Sequence, residues 1–173
     1  MLLEHNGVTP RIDPSAYVAP NATLCGDVSV GPGCCIMFGA CLISEGEPLE
    51  LGENCIVMEN AVVRSTNIHP TAIGASCLVG PHAHIVGCTL AGCVFIATGA
   101  SVFHGADLGF GVEVRVNAVV HLRTRVLEHS VIPIGWVAVG DPAHIMPPDQ
   151  HDAIGKSESR SISKIRLWCR TPA

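Results

Sequence analysis

From Ile12 onward an aliphatic residue returns every six positions: Val18, Leu24, Val30, Ile36 and Leu42 follow in strict step. After a short insertion the spacing resumes at Leu51, Val57 and Val63, and after a second, "STNIHP", at Ile73, Val79 and Ile85. One five-residue step leads to Leu90, and Ile96, Val102, Leu108, Val114, Val120, Val126 and Ile132 complete the series. A helix repeats near 3.6 residues and a half-buried strand at two, so neither produces this period. Four residues after each aliphatic stands a second register of small apolar residues, among them Ala22, Cys34, Ala40, Cys55, Ala61, Cys77, Ala83, Ala100 and Ala118. Gly often follows the aliphatic, as at Gly31, Gly52, Gly74, Gly80 and Gly109, where a sharp corner is expected to need it.

Six residues per flat side and three sides per coil make a triangular prism, and the hexapeptide is a signature of parallel β-helices. The expected fold is therefore all-β: a left-handed parallel β-helix of about six coils. It occupies residues 12–147, with residues 1–11 as an N-terminal segment and 148–173 as a C-terminal tail, partly helical or disordered. Left-handed crossovers are an exception to the usual right-handed rule. The aliphatics fill each coil from the side, and the small register lets the corners close. Within the tail, "GKSESRSISK" is too polar to bury much, while "IRLWC" could dock on the prism.

Composition narrows the function. Charged residues make up 14% of the chain, below the roughly 25% of an average soluble domain, so surface hidden in an oligomer is expected. A net charge of −5 without a Lys/Arg run argues against nucleic-acid binding. No apolar run approaches the ~20 residues that span a bilayer, and the N-terminus lacks the pattern of a secretory signal. Nine Cys occur without a CxxC pair, and several fall on the small inward register, where a thiol packs like a larger Ala. A cytoplasmic protein with reduced thiols is expected.

The segments "CGDVSVGPGCCI", "VGCTLAGCVFIATGA" and "GDPAHI" resemble those of the γ-class carbonic anhydrases and their hexapeptide-repeat relatives, over roughly residues 10–147. The resemblance implies a homotrimer with zinc held between subunits by three His. It also places those ligands in this chain. The first falls at Arg64, the second at Pro81 and the third at Val86, so no family ligand is retained. The Arg-Gly-Asp of active members matches Ser44, Glu45 and Gly46, and their Gln-Asp pair matches Met58 and Glu59. A catalytic zinc needs about three protein ligands plus a water, which Pro and Val cannot supply. No cofactor is expected, zinc remaining the alternative, and CO₂ hydration is not expected.

What remains is a set of outward polar residues. A guanidinium at Arg64 suits a small anionic or carboxylate ligand, or a salt bridge to Glu45 or Glu59. His82 and His84, two apart in "VGPHAHIVGC", flank the family's metal position, and with His69 they form a weak alternative metal set. His82 and His104 are the candidate general bases if the chain is instead a hexapeptide acyltransferase or thioesterase acting on a CoA thioester.

Overall fold

The computed structural model describes residues 1–150; of the tail expected over 148–173, residues 151–173 lie outside the described residues. The chain winds as an all-β parallel solenoid with three flat faces. Face one stacks Leu2–Leu3, Thr23–Cys25, Cys41–Ile43, Val62–Arg64, His84–Val86, Ser101–Val102, Val119–Val120 and Val137–Val139, and ends on the antiparallel strand His144–Met146. Face two runs from Arg11–Ile12 through Val28–Val30, Leu49–Leu51, Thr71–Ile73, Thr89–Leu90 and Asp107–Leu108 to Arg125–Val126. Face three runs from Tyr17–Val18 through Cys35–Ile36, Ile56–Val57, Leu78–Val79, Phe95–Ile96 and Glu113–Val114 to Val131–Ile132. The only helical element among the described residues is a 3₁₀ turn at Pro148–Gln150.

The register follows directly from the six-residue spacing. Ladder partners on face one include Leu24 with Leu42, Leu42 with Val63, Val63 with Ile85 and Ile85 with Val102, so like positions of successive coils stack. From Leu24 to Ile132 every aliphatic of the series is buried; Ile12 and Val18, at the open end, are only partly covered. The small register is buried beside it, from Ala22 to Ala118. Burying one such Leu or Ile contributes about 1.5–3 kcal/mol, and the unbroken column accounts for the prism's cohesion.

The thiols that occupy this register are packing groups. Cys34, Cys55 and Cys77 donate to the carbonyls of Gly52, Gly74 and Ala91 in the next coil at 3.0, 3.0 and 3.1 Å. Burial pushes the Cys88 thiol up to about 12, which keeps it protonated.

One expectation about the corners is corrected. Gly31, Gly52, Gly74, Gly80 and Gly109 do not adopt the left-handed conformation; a Cβ at each would meet backbone atoms of the next coil at 2.6–2.9 Å. They are required by the close stacking of coils. The left-handed corner positions lie two residues further on, as at Gly33 and Gly111, or are filled by side chains that tolerate them, chiefly Asn54, Asn60 and Asn117.

Candidate functional site

Both interruptions of the repeat fall at the same corner, between faces one and two. Residues 44–48 and 65–70 bulge outward there on successive coils, and buried hydroxyls hold them in place. Ser44 Oγ donates to the Glu47 carbonyl at 2.8 Å, and Ser65 Oγ donates to the same carbonyl. Thr71 Oγ1 donates to the Arg64 carbonyl at 2.5 Å and accepts the Gly87 N–H at 2.9 Å. In the outer loop, Thr66 Oγ1 accepts the His69 N–H at 3.0 Å, closing a turn that presents His69. Of these, the sequence singled out only Ser44, as the match to the family's Arg, and none as a hydroxyl that holds a loop. Their signal was a Ser or Thr beside each break in the aliphatic spacing.

The bulges form the wall of a pocket of about 300 Å³ lined by Glu45, Thr66, Asn67, Ile68, His69 and His104. The rings of His69 and His104 stack with centroids 5.7 Å apart and planes 21° from parallel. Arg64, the last residue of its face-one strand, forms an ion pair through Nη2 with the Glu45 carboxylate. Its Nε is buried and meets no hydrogen-bond acceptor among the described residues. The guanidinium is thus only half engaged.

His84 projects from the neighbouring strand, where it pairs with Val62 while Arg64 pairs with Val86. Burial, and then the charge of Arg64, hold its imidazole below the usual histidine range. A neutral imidazole beside a guanidinium can accept a hydrogen bond but adds no positive charge.

The structure divides the sequence candidates into two groups. Arg64, Glu45, His69 and His104 converge on the corner between faces one and two, with His84 one strand away. Glu59, Pro81 and His82 lie at a different corner, between faces three and one. There the Glu59 carbonyl accepts the His82 N–H at 3.1 Å, and the Pro81 carbonyl accepts the Gly99 N–H at 3.0 Å. Of the two partners considered for Arg64, Glu45 is the one it meets. His82 and His84 do not share a strand face, because His82 is a corner residue with φ of +57°. Val86 is buried. Among the described residues no three His, Cys, Asp or Glu side chains are grouped closely enough to hold a metal ion.

No family model matches the chain. A curated relative, gamma carbonic anhydrase 1, mitochondrial, of Arabidopsis thaliana, is 32% identical over 143 residues, covering 79% of this chain and 50% of the relative. The chain spans about half the length of the curated relatives it matches first. A solved structure described as a putative acetyltransferase of Bacillus cereus superposes with a TM-score of 0.64 at 20% identity, covering 96% of this chain and 95% of the other. A hexapeptide transferase family protein from Anaplasma phagocytophilum superposes with a TM-score of 0.61 at 25% identity, with 96% and 97% covered. At such identities these likenesses speak for the fold.

Proposed function

We propose, taking the chain as a homologue of the γ-class carbonic anhydrases built on a hexapeptide-repeat β-solenoid, that it is a left-handed homotrimeric protein that binds a small carboxylate or similar anion at Arg64. It serves as a binding or scaffold protein in the cytoplasm, or acts on that carboxylate, and does not hydrate CO₂. The zinc of the γ-class does not fit the residues present. Pro81 and Val86 carry no donor atom, and a permanently charged guanidinium at Arg64 repels a divalent cation.

One observation carries the reading. Arg64 offers Nη2 to Glu45 while its Nε–H stays buried without an acceptor. A ligand carboxylate that displaced Glu45 would take both N–H groups in the bidentate geometry guanidinium prefers. His69, which lines the pocket together with Glu45, the partner of Arg64, is placed to donate a further hydrogen bond.

The test combines metal analysis of protein purified without a His tag, a CO₂ hydration assay with added zinc, and calorimetric titration with acetate. The expected results are substoichiometric zinc, hydration at background, and acetate binding that disappears in Arg64→Met. Stoichiometric zinc with hydration activity, or acetate binding untouched by Arg64→Met, would overturn the reading.

A second reading is an acyltransferase or thioesterase acting on a CoA thioester, with His104 as general base. It is favoured by the position of His104 in the pocket, whereas His82 is committed to a corner. Release of CoA from acetyl-CoA that is lost in His104→Ala would establish it.

A further inference from the structure

Along the corner between faces one and two the left-handed position is held by Gly26, Gly87, Gly105 and Gly140, with φ of +80°, +54°, +73° and +97°. In the coil between Gly105 and Gly140 it is held by Arg123, with φ of +52°. The left-handed region crowds Cβ against the following carbonyl oxygen, and Arg lacks the short polar side chain with which Asn offsets that cost. Strain of this kind persists where the surrounding structure or a function holds it. Among the described residues Arg123 forms no ion pair, so no internal partner accounts for the charge.

The side chain of Arg123 has a definite direction. Its N–H donates to the His104 carbonyl at 3.1 Å, and its Cγ lies 2.8 Å from where a Cβ on Gly105 would stand. The stem is folded back over Gly105, toward His104 and the pocket that His104 lines. Arg64 leans the same way, onto Glu45 of the preceding coil. The strands that lead into the two arginines are three ladder steps apart, about 14 Å at the spacing of adjacent strands. Between them lies the pocket of about 300 Å³, whose wall runs from Glu45, the partner of Arg64, to His104, the neighbour of Arg123. The stacked rings of His69 and His104 and the exposed side chain of Ile68 form its middle, which carries no carboxylate.

We infer that the ligand of this site is an elongated dianion, an α,ω-dicarboxylate with an apolar spacer. One carboxylate displaces Glu45 and takes Arg64; the other takes Arg123; the spacer lies along His69, His104 and Ile68. Guanidinium binds a carboxylate by paired charge-assisted hydrogen bonds, so a ligand long enough to reach both ends gains a second such contact that acetate cannot make. The inference rests on the anion site proposed at Arg64 and names the class of its ligand. It also gives the strained corner a purpose, since a glycine there would stack as well and bind nothing.

Calorimetric titration of the full chain with acetate, malonate, suberate and sebacate, at matched ionic strength, tests it. The long dicarboxylates should bind at least about tenfold tighter than acetate or malonate, the equivalent of ~1.4 kcal/mol. Arg123→Gly should bring suberate and sebacate down to the level of acetate while the melting temperature stays the same or rises. Arg123→Asn, with a residue that fills such corners elsewhere in the prism, should do the same and serves if the glycine variant fails to fold. Suberate and sebacate binding no tighter than acetate, or their preference surviving in both variants, would overturn the dicarboxylate assignment while leaving the Arg64 site in place. Acetate binding that is absent, or that survives Arg64→Met, would overturn the Arg64 site and this inference with it.

Discussion

The imidazoles of His69 and His104 stack at 5.7 Å although they belong to coils separated by a third, and it is Gly87 that lets them meet. Gly87 sits in the intervening coil with φ of +54°, and a Cβ there would lie 2.7 Å from the His69 Cβ and 3.1 Å from the His104 Cβ. Gly87→Ala should therefore add left-handed strain to overpacking and cost about 2–4 kcal/mol. Urea unfolding checks this. Gly7→Ala, where φ is +76° in open space, isolates the backbone strain and should cost about 1 kcal/mol. Equal losses at the two positions would show that the His stack does not depend on the glycine.

The Arg64–Glu45 pair is a third exposed on either side, so removing it should cost little stability. Arg64→Met is expected to lower stability by no more than about 1 kcal/mol. Its effect belongs to ligand binding. Glu45→Gln weakens the internal competitor for the guanidinium and should tighten acetate binding by up to about tenfold, or ~1.4 kcal/mol. Weaker acetate binding in Glu45→Gln would mean that Glu45 positions Arg64 rather than competing with the ligand.

His82 occupies a corner that Asn60 and Asn117 fill in nearby coils, with φ of +57°, +57° and +54° respectively. Asn tolerates this conformation and β-branched residues do not. His82→Asn should leave the melting temperature unchanged, whereas His82→Val should lower stability by about 1–2 kcal/mol. A large loss in His82→Asn would reveal a role for the imidazole beyond the turn.

His84 links stability to pH. Its folded-state pKa is depressed by burial and by Arg64, below the ordinary value near 6.5. The unfolded chain then binds the proton more readily. Stability is fully present above about pH 6.5 and is lost as pH falls toward the lower folded value. His84→Gln should flatten the pH dependence of stability in that window, measured by urea unfolding between pH 5 and 7.5. An unchanged slope would assign the dependence to other groups.

The six-residue spacing of Ile, Leu and Val was enough to specify the core, because side-chain direction in a stacked coil repeats with the backbone. Every aliphatic from Leu24 to Ile132 is buried as that spacing requires, and the buried thiols of Cys34, Cys55 and Cys77 follow from the same register. The γ-class resemblance was likewise legible in short segments of the chain. The candidate site was legible only in part, because it forms where the period breaks. Residues 44–48 and 65–70 have no register to be read from; the meeting of adjacent coils placed Glu45 against Arg64, and stacking across an intervening coil placed His69 against His104. His82 shows the converse: it stands two residues from His84, yet a left-handed corner sends it to another edge of the prism. Linear spacing determines direction wherever the backbone repeats. At a corner or an insertion the stacking of coils decides it, and those contacts join residues one or two coils apart in the chain.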